Sequence, residues 1–374
     1  MLLTAEELFG GLAAVRALRA AGHEPWVVRT RPERYAPSSR AAAGVIDAPD
    51  PAADPAGFAH ELAAAAERLG ATVVLPGSED ALVALAGRET LFPDGVAVGT
   101  CAPEIVERAV DKRAMFELAM QAGLEVPAAR VTTVAALRAT PGTLSYPVVV
   151  KPARTKLADV DGRMKHRRVK RVASHDELPS ALEALGDGAV LVEPCLAGRL
   201  RAVSGVAWDG ELVCASHQVA RRIWPLDVGG SSYAVTIPPD PALESAVGRL
   251  VELLGWSGVF QAQFLDDGER AVLIDFNPRI YGSLALAVAA GLNLPAVWVE
   301  LLRGGRASAS GYRAGVYYRA EGNDLRVFLS HVRRMRWADA APVLVPRRRT
   351  VHALVSLRDP APLLSRVTTR LRRR

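Results

Sequence analysis

The chain has 374 residues, of which 50% are hydrophobic and 23% are charged, and its formal net charge at pH 7 is +6. This composition excludes an intrinsically disordered chain, and the length allows two or three domains with buried cores. Aromatic residues make up only 6% and do not interleave with the arginine runs, which disfavours nucleic acid as a partner.

Cellular setting can be inferred from the cysteines and the apolar segments. The three cysteines are far apart, without a metal-binding spacing, as is typical of a reducing compartment. No basic stretch precedes the first apolar residues, so a signal peptide is not expected. Residues 283–302 are apolar, but a glycine, an asparagine and a proline interrupt them and favour two short buried helices. We therefore expect a cytoplasmic protein without a membrane partner.

The first 104 residues alternate strand-like and helix-like segments, which predicts a small parallel α/β domain. Strands are predicted at 1–4, 25–29 and 71–75, and helices at 11–21 and 56–69. The first turn lacks the glycine fingerprint of a dinucleotide-binding strand, so a nicotinamide cofactor is not predicted. Ser78, Glu79 and Asp80 follow the third strand, where they either cap a helix or contribute to a ligand site.

Two lysines stand at the ends of predicted elements. Asp111 and Lys112 begin a helix that Gly123 ends. A cation in the first turn opposes the helix dipole, and this local misfit favours a functional role for Lys112. Lys151 stands at the end of the apolar strand in residues 146–152, where a rigidly mounted ammonium suits a phosphate ligand; the alternative is a snorkelling side chain.

The stretch AVLIDFNPRIYGS, residues 271–283, carries the densest chemistry. Side chains alternate along a strand, so Asp275 and Asn277 fall on one face. Pro278 ends the strand and leaves Arg279 just beyond it, available to an anion. The alternatives are that Asp275 caps the next helix and that Arg279 forms a surface ion pair. Carboxylate and amide oxygens suit Mg²⁺, which usually shares its ligands with phosphates.

Whether Gln263 joins this site depends on hairpin register. A five-residue loop at 266–270 places Gln263 opposite Leu273 and diagonal to Asp275 on the same face. A two-residue Asp-Gly turn would place Gln263 on the other face. We predict the longer loop.

The order Gln263, Asp275, Asn277, Arg279 resembles the metal site of the ATP-grasp superfamily, in the branch of carbamoyl-phosphate synthase and biotin carboxylase. Those enzymes have an acidic or amide residue on one strand and an acidic-x-Asn-Pro-Arg run on the next; Asp275 stands where glutamate is more usual. The resemblance implies an α/β (α+β) fold with four parts. These are a Rossmann-like pre-ATP-grasp domain (1–104), a linking helix and lid subdomain (105–195), an antiparallel-sheet core with the metal site (196–305) and a C-terminal extension with a basic tail (306–374).

The same resemblance implies residue roles. Metal ligation falls to Gln263, Asp275 and Asn277. Phosphate contacts fall to Lys112 and Lys151, and adenine contacts to Glu193 with the backbone of Pro194, Cys195 and Leu196. Catalytic arginines are Arg279 and, on the strand before the Gly-Gly-Ser loop, Arg221 in preference to Arg222.

The lid and one nucleotide contact depart from the family pattern. Residues 153–173 are basic and contain a single glycine where relatives have a glycine-rich loop, so Lys165 or Lys170 is a candidate phosphate contact there. Leu200 occupies a place where many relatives have a glutamate near the ribose.

The resemblance implies an ADP-forming ligase that makes a C–N bond through an acyl phosphate, with ATP and Mg²⁺ or Mn²⁺. Its substrates would be a small-molecule or peptide carboxylate and an amine, or a thiol. Two alternatives stay open: a bicarbonate-using carboxylase or carbamoyl-phosphate-forming enzyme, and a non-catalytic ATP-binding regulatory protein. The oligomeric state is also open, with a homodimer as one possibility.

Overall fold

The computed structural model describes residues 1–4, 8–30, 35–140, 144–152, 156–158, 164–166, 169–186, 188–307 and 311–365. Its strands form three larger sheets and one two-stranded ribbon.

The N-terminal sheet is parallel throughout, in the order β3-β2-β1-β4-β5. Its strands are β1 (Leu2–Thr4), β2 (Trp26–Arg29), β3 (Gly44–Asp47), β4 (Val73–Leu75) and β5 (Ala97–Val98). Three helices accompany it: α1 (Leu8–Ala20), α2 (Pro55–Leu69) and α3 (Glu79–Leu85). β1 and β4 are buried at every position, as expected for central strands of a parallel sheet. The parallel α/β domain predicted from the alternation of strands and helices is confirmed, although β3 and β5 lie outside the predicted strands.

A second sheet, which we call the lid sheet, is antiparallel in the order β10-β7-β11-β6. Its strands are β6 (Arg130–Thr133), β7 (Val148–Pro152), β10 (Lys170–Val172) and β11 (Ala189–Pro194). The helices α6 (Val134–Ala139) and α7 (Leu178–Leu185) share a core with the valines on one face of the sheet. A separate antiparallel ribbon consists of β8 (Lys156–Ala158) and β9 (Met164–His166).

The third sheet, which we call the core sheet, has the order β16-β15-β12-β13-β14-β17-β18. Its strands are β12 (Arg199–Trp208), β13 (Glu211–Trp224), β14 (Gly230–Ile237), β15 (Gly258–Asp266), β16 (Ala271–Asn277), β17 (Tyr317–Arg319) and β18 (Thr350–His352). All its neighbours are antiparallel except the parallel pair β17 and β18. These last two strands come from the predicted C-terminal extension, so the extension completes the core sheet.

Helices cover both faces of the core sheet. One face packs against α4 (Pro103–Val110), α5 (Lys112–Gln121) and α8 (Pro241–Leu254). The other face packs against α9 (Leu284–Ala290) and α10 (Leu294–Leu302), which also contact α1. The chain then continues through α11 (Glu321–Arg333) and α12 (Trp337–Leu344).

The apolar segment at 283–302 forms the two short helices α9 and α10, which meet at 89°. Several of their apolar side chains are buried in the core, as expected from the sequence. Over the described ranges, no single helix is long and apolar enough to cross a membrane, and this bent pair passes that test only when its two helices are taken together.

The β15–β16 hairpin corrects the predicted register. Asp266 pairs with Ala271, so the connection has four residues, 267–270, instead of five. Asp266 stays in the strand while its carboxylate accepts a hydrogen bond from the Gly268 amide in the turn. A bulge next to Gln263 then brings Gln263 directly opposite Asp275, where the prediction had Leu273. The two side chains share a face as expected, but the bulge and not the loop length is responsible.

Candidate functional site

A cleft of about 880 Å³, measured to its open mouth, lies between the lid sheet and the core sheet. Both sheets, the β11–β12 linker, the β13–β14 hairpin and the start of α5 contribute to its wall. The lining residues are Lys112, Val149, Lys151, Val169, Pro194, Cys195, Leu196, Leu200, Asp227, Val228, Gly229, Gly230, Gln263, Leu265, Ile274 and Asp275. This mixture of apolar and charged side chains suits a small organic ligand with a charged group.

The cleft changes from apolar to polar along the strands of the core sheet. Leu200 pairs with Leu265 at one end. Two residues further along β12, Ala202 pairs with Gln263, which in turn pairs with Asp275. The rows are about 7 Å apart, from the rise of a strand. The leucine end is therefore apolar, and the other end carries the charged side chains Lys112, Lys151 and Asp275.

Lys112 is the first residue of α5, whose N-terminus is capped by Asp111 through the Arg113 and Ala114 amides. Its ammonium donates to the Asp275 carboxylate in an ion pair. Burial opposes the positive charge, but Asp275 outweighs it, so the pKa of Lys112 is raised. Burial likewise opposes the charge on Asp275, but Lys112 and then Lys151 outweigh it and lower the pKa of Asp275. Both groups are therefore charged at neutral pH.

Lys151 and Glu193 form a buried pair on neighbouring strands of the lid sheet, with Nζ 2.5 Å from Oε1 and both side chains 5% exposed. The Lys151 ammonium also donates to the Ile274 carbonyl at 2.9 Å and lies 4.8 Å from the centre of the Phe116 ring. Burial lowers the pKa of Lys151 and raises that of Glu193, because the partner only partly offsets the loss of solvent. Glu193 was predicted to bind adenine; in the structure its carboxylate contacts Lys151, while Pro194, Cys195 and Leu196 line the cleft.

Amide side chains extend the polar end of the cleft. Gln263 donates to Gln261 Oε1 at 2.9 Å, which leaves the Gln263 carbonyl oxygen for another ligand. Asn277 pairs with Gln261 across β15 and β16 and accepts a hydrogen bond from Arg279 at 3.1 Å. The Arg279 guanidinium also lies 3.6 Å from the Glu79 carboxylate. The residues after β16 thus meet the residue that begins α3.

The sequence left open whether Ser78 and Glu79 cap a helix or contribute to a ligand site. Ser78 caps α3 by accepting from the Ala81 amide, whereas Glu79 reaches Arg279.

The donor set fits Mg²⁺ shared with phosphate. Among the described residues, no group of three or more His, Cys, Asp or Glu side chains could hold a metal alone. The predicted ligands are one carboxylate, Asp275, and two amide oxygens, from Gln263 and Asn277. Mg²⁺ takes hard oxygen ligands and commonly uses one or two carboxylates, with substrate phosphates and water completing its shell.

Arg221 and Arg222 are not brought to this cleft. Arg221 lines a second depression, together with Arg201 and Asp266. Arg222 donates to both oxygens of the buried Asp324, at 2.6 and 2.8 Å, and lies over the Tyr233 ring. The preference for Arg221 as a catalytic residue is therefore not supported by its position.

Of the two candidate lid lysines, Lys170 has a described side chain, and it does not face the cleft. Lys170 pairs with Val150, whose side chain lies in the lid core, so Lys170 is on the face turned away from the cleft. Arg171 pairs with Val149 and is the basic residue on the cleft face of β10. The side chain of Lys165 lies outside the described part of the chain.

Three site residues were missed from the sequence. Gln261 was within reach, because it precedes Gln263 by two and must share its face. Phe116 follows Lys112 by one helical turn, which is also a readable spacing. Asp227 lines the cleft from the tip of the β13–β14 hairpin, and no local pattern indicates that placement.

Comparison with known proteins agrees with this architecture. Residues 187–321 match the family model described as ATP-grasp in the biosynthetic pathway with Ter operon. Among curated proteins, no relative matches the sequence.

Solved structures with the same fold include three enzymes. The biotin carboxylase–βγ-ATP complex of Campylobacter jejuni is 17% identical, with a TM-score of 0.62 over 84% of this chain and 74% of that one. The L-amino acid ligase of Bacillus licheniformis is 17% identical, with a TM-score of 0.59 over 81% and 73%. The biotin carboxylase domain dimer of Hydrogenobacter thermophilus 2-oxoglutarate carboxylase, in complex with MgADP, ADP and bicarbonate, is 16% identical, with a TM-score of 0.61 over 84% and 72%.

Proposed function

We propose that this chain, which has the ATP-grasp fold, is an ADP-forming ligase that joins a carboxylate to an amine or a thiol. One observation carries the proposal: Lys112, Lys151, Asp275 and Gln263, from three separate regions of the sequence, line a single cleft between the lid sheet and the core sheet. Two ammonium groups facing a carboxylate and an amide form a site for a metal-bound polyphosphate.

The polarity of the cleft orients the nucleotide. The base lies between Leu200 and Leu265 of the core sheet and Val149 of the lid, beside the Cys195 backbone. The triphosphate extends toward Lys112 and Lys151. Asp275, Gln263 and Asn277 would hold Mg²⁺, and the bound ion would offset charge on the phosphate oxygens.

The chain's own residues contribute by position and charge. A substrate carboxylate oxygen attacks the γ-phosphorus, and the bond to ADP breaks to give an acyl phosphate. The amine nitrogen then attacks the acyl carbon, phosphate leaves and the nitrogen loses a proton. Lys112, Lys151 and Arg279 stabilise the charge on the transferred group, and positioning supplies most of the rate. No covalent intermediate with the enzyme is required.

The reaction class is tested by product analysis. Purified protein with MgATP is incubated with a panel of carboxylates, including amino acids, and a panel of amines. We expect ADP and phosphate to form only when a carboxylate is present. Release of AMP and pyrophosphate would refute the mechanism.

The metal role of Asp275 is tested by Asp275→Asn. We expect the variant to lose most turnover, on the order of a hundredfold or more, because it removes the single carboxylate of the metal set. Its thermal unfolding should remain close to that of the parent. The matched control is Asp267→Asn, four residues into the same hairpin from Gln263, in the exposed turn. Equal activity of the two variants would remove Asp275 from the site.

Bicarbonate is the second candidate carboxylate, because one of the structural neighbours was crystallised with it. ATP hydrolysis that needs bicarbonate, and no other carboxylate, would favour carboxylation or carbamoyl phosphate formation. Nucleotide binding without turnover across both panels would instead favour a regulatory ATP-binding protein.

A further inference from the structure

The ammonium of Lys112 and the proposed metal compete for one carboxylate. Asp275 is the only acidic member of the proposed ligand set, and its Oδ1 atom already accepts from Lys112. A divalent ion at Asp275 must either displace the ammonium or lie beside it. Two cations a few ångströms apart in a partly buried site repel each other strongly, because little water screens them.

The position of Lys112 is set by the fold. Asp111 caps α5 directly before it, and Met115 and Leu118 anchor the same helix in the core. The helix therefore delivers the Lys112 side chain to β16, and the side chain is only 14% exposed. An ammonium mounted in this way remains near Asp275 unless a stronger anion attracts it.

Lys151 is held differently. Its ammonium has the Glu193 carboxylate, the Ile274 carbonyl and the Phe116 ring around it, and none of these is a proposed metal ligand. Metal binding therefore requires no change at Lys151. Within the described residues, Lys112 is the lysine whose hydrogen-bond partner the metal must take.

We propose that Lys112 is a gate for the metal: it keeps divalent ions from Asp275 until a polyphosphate draws the ammonium away, so that metal and nucleotide enter the cleft together. The inference rests on the proposed function, since it assumes that the cleft binds a metal–nucleotide complex. It adds a coupling between metal binding and nucleotide binding. It also gives Lys112 a second role, which is to lower the affinity for metal when no nucleotide is bound.

The test measures Mn²⁺ binding to the full-length protein without nucleotide, by electron paramagnetic resonance of free Mn²⁺. We expect weak binding by the parent and binding at least about tenfold tighter by Lys112→Met, because the competing charge is gone. Lys112→Gln gives a second variant should the methionine disturb folding. The double variant Lys112→Met/Asp275→Asn should lose the gain. Lys170→Met, which removes a lysine from the far face of the lid sheet, should leave Mn²⁺ affinity at the parent value.

Addition of ADP distinguishes failure of the gate from failure of the proposed ligase. After subtraction of the Mn²⁺ that the same concentration of ADP binds without protein, we expect ADP to tighten Mn²⁺ binding by the parent much more than by Lys112→Met. Parent protein that binds Mn²⁺ without nucleotide as tightly as Lys112→Met would overturn the gate and leave the proposed ligase intact. Failure of the parent to bind Mn²⁺ even with ADP or ATP would overturn both. Thermal unfolding of each variant confirms that the compared proteins are folded.

Discussion

The buried pair of Lys151 and Glu193 is expected to lower the stability of the fold and to be needed for function. Burial lowers the pKa of Lys151 and raises that of Glu193, so the folded protein favours the neutral form of each despite their contact. Removing two charges from water costs more than their attraction returns. An apolar pair of similar size should therefore be tolerated, and should abolish phosphate binding.

The magnitudes follow from the contacts. Glu193→Leu leaves the Lys151 ammonium without its carboxylate, which typically costs about 3–5 kcal/mol. Lys151 keeps the Ile274 carbonyl and the Phe116 ring, so we expect the lower end, about 3 kcal/mol. With about 2.1 cal/mol/K of unfolding entropy per residue, a 374-residue chain that unfolds as one unit loses about 1.3 °C per kcal/mol, so the Tm should fall by about 4 °C. The double variant Lys151→Met/Glu193→Leu should return to within about 1 kcal/mol of the parent.

Thermal unfolding by circular dichroism and ADP binding by calorimetry, both with Mg²⁺, are measured on the parent, the single variant and the double variant. We expect the double variant to recover the Tm and not to bind ADP. A double variant as unstable as Glu193→Leu would show that the pair stabilises the fold. Recovery of the Tm together with parental ADP affinity would remove Lys151 from the nucleotide site.

The pH dependence has a definite sign. The folded pKa of Glu193 lies above its ordinary 4.5, so its cost to stability is relieved as pH falls through the folded pKa toward 4.5. The folded pKa of Lys151 lies below its ordinary 10.5, so its cost is relieved as pH rises through the folded pKa toward 10.5. The advantage of the double variant over the parent should therefore be largest near neutral pH and shrink in both directions. A constant difference would contradict the burial argument.

Two further results are expected. Burial raises the pKa of Cys101 and of Cys214 to about 11, so at pH 8 only about 0.1% of each is thiolate. A disulfide reagent, which reacts with the thiolate, should therefore modify the third cysteine, Cys195, first. Because Cys195 lines the cleft, MgADP should slow its modification, measured by mass spectrometry, and a rate unaffected by MgADP would place the nucleotide elsewhere. Glu79→Gln removes a carboxylate 3.6 Å from Arg279 and should tighten ATP binding without metal several-fold by calorimetry; weaker binding would mean that Glu79 supports the site.

Local sequence patterns predicted the elements and many of the functional residue types. Alternation indicated the parallel first domain, and the proline after Asn277 ended β16 where expected. Lys112 and Lys151 were chosen because of their positions at an element end, which is a local property. The structure brings both lysines to Asp275, as expected if the three regions form one site.

Long-range partners were not predictable in the same way. The pairing of Glu193 with Lys151 depends on the register of β7 with β11, which no local pattern fixes. Arg222 is held by Asp324, 102 residues later, in a segment whose role was unreadable from the sequence. The four-residue loop alone would place Gln263 opposite Ile274, on the other face from Asp275. The bulge adds one residue to β16 and so places Gln263 opposite Asp275. In each case the pairing of two strands, or a contact with a distant residue, fixes where the side chain lies.

The charges of the cleft are arranged as pairs that a metal-bound nucleotide can exchange. Three ion pairs converge there: Lys112 with Asp275, Lys151 with Glu193, and Arg279 with Glu79. A polyphosphate that attracts Lys112 leaves Asp275 without its cation, and a partly buried carboxylate without a partner is costly. In the proposed gate, Mg²⁺ would supply the missing charge at that carboxylate, and the ammonium would move to the phosphate. Nucleotide and metal would then each offset the cost that the other creates, which predicts cooperative binding of the two.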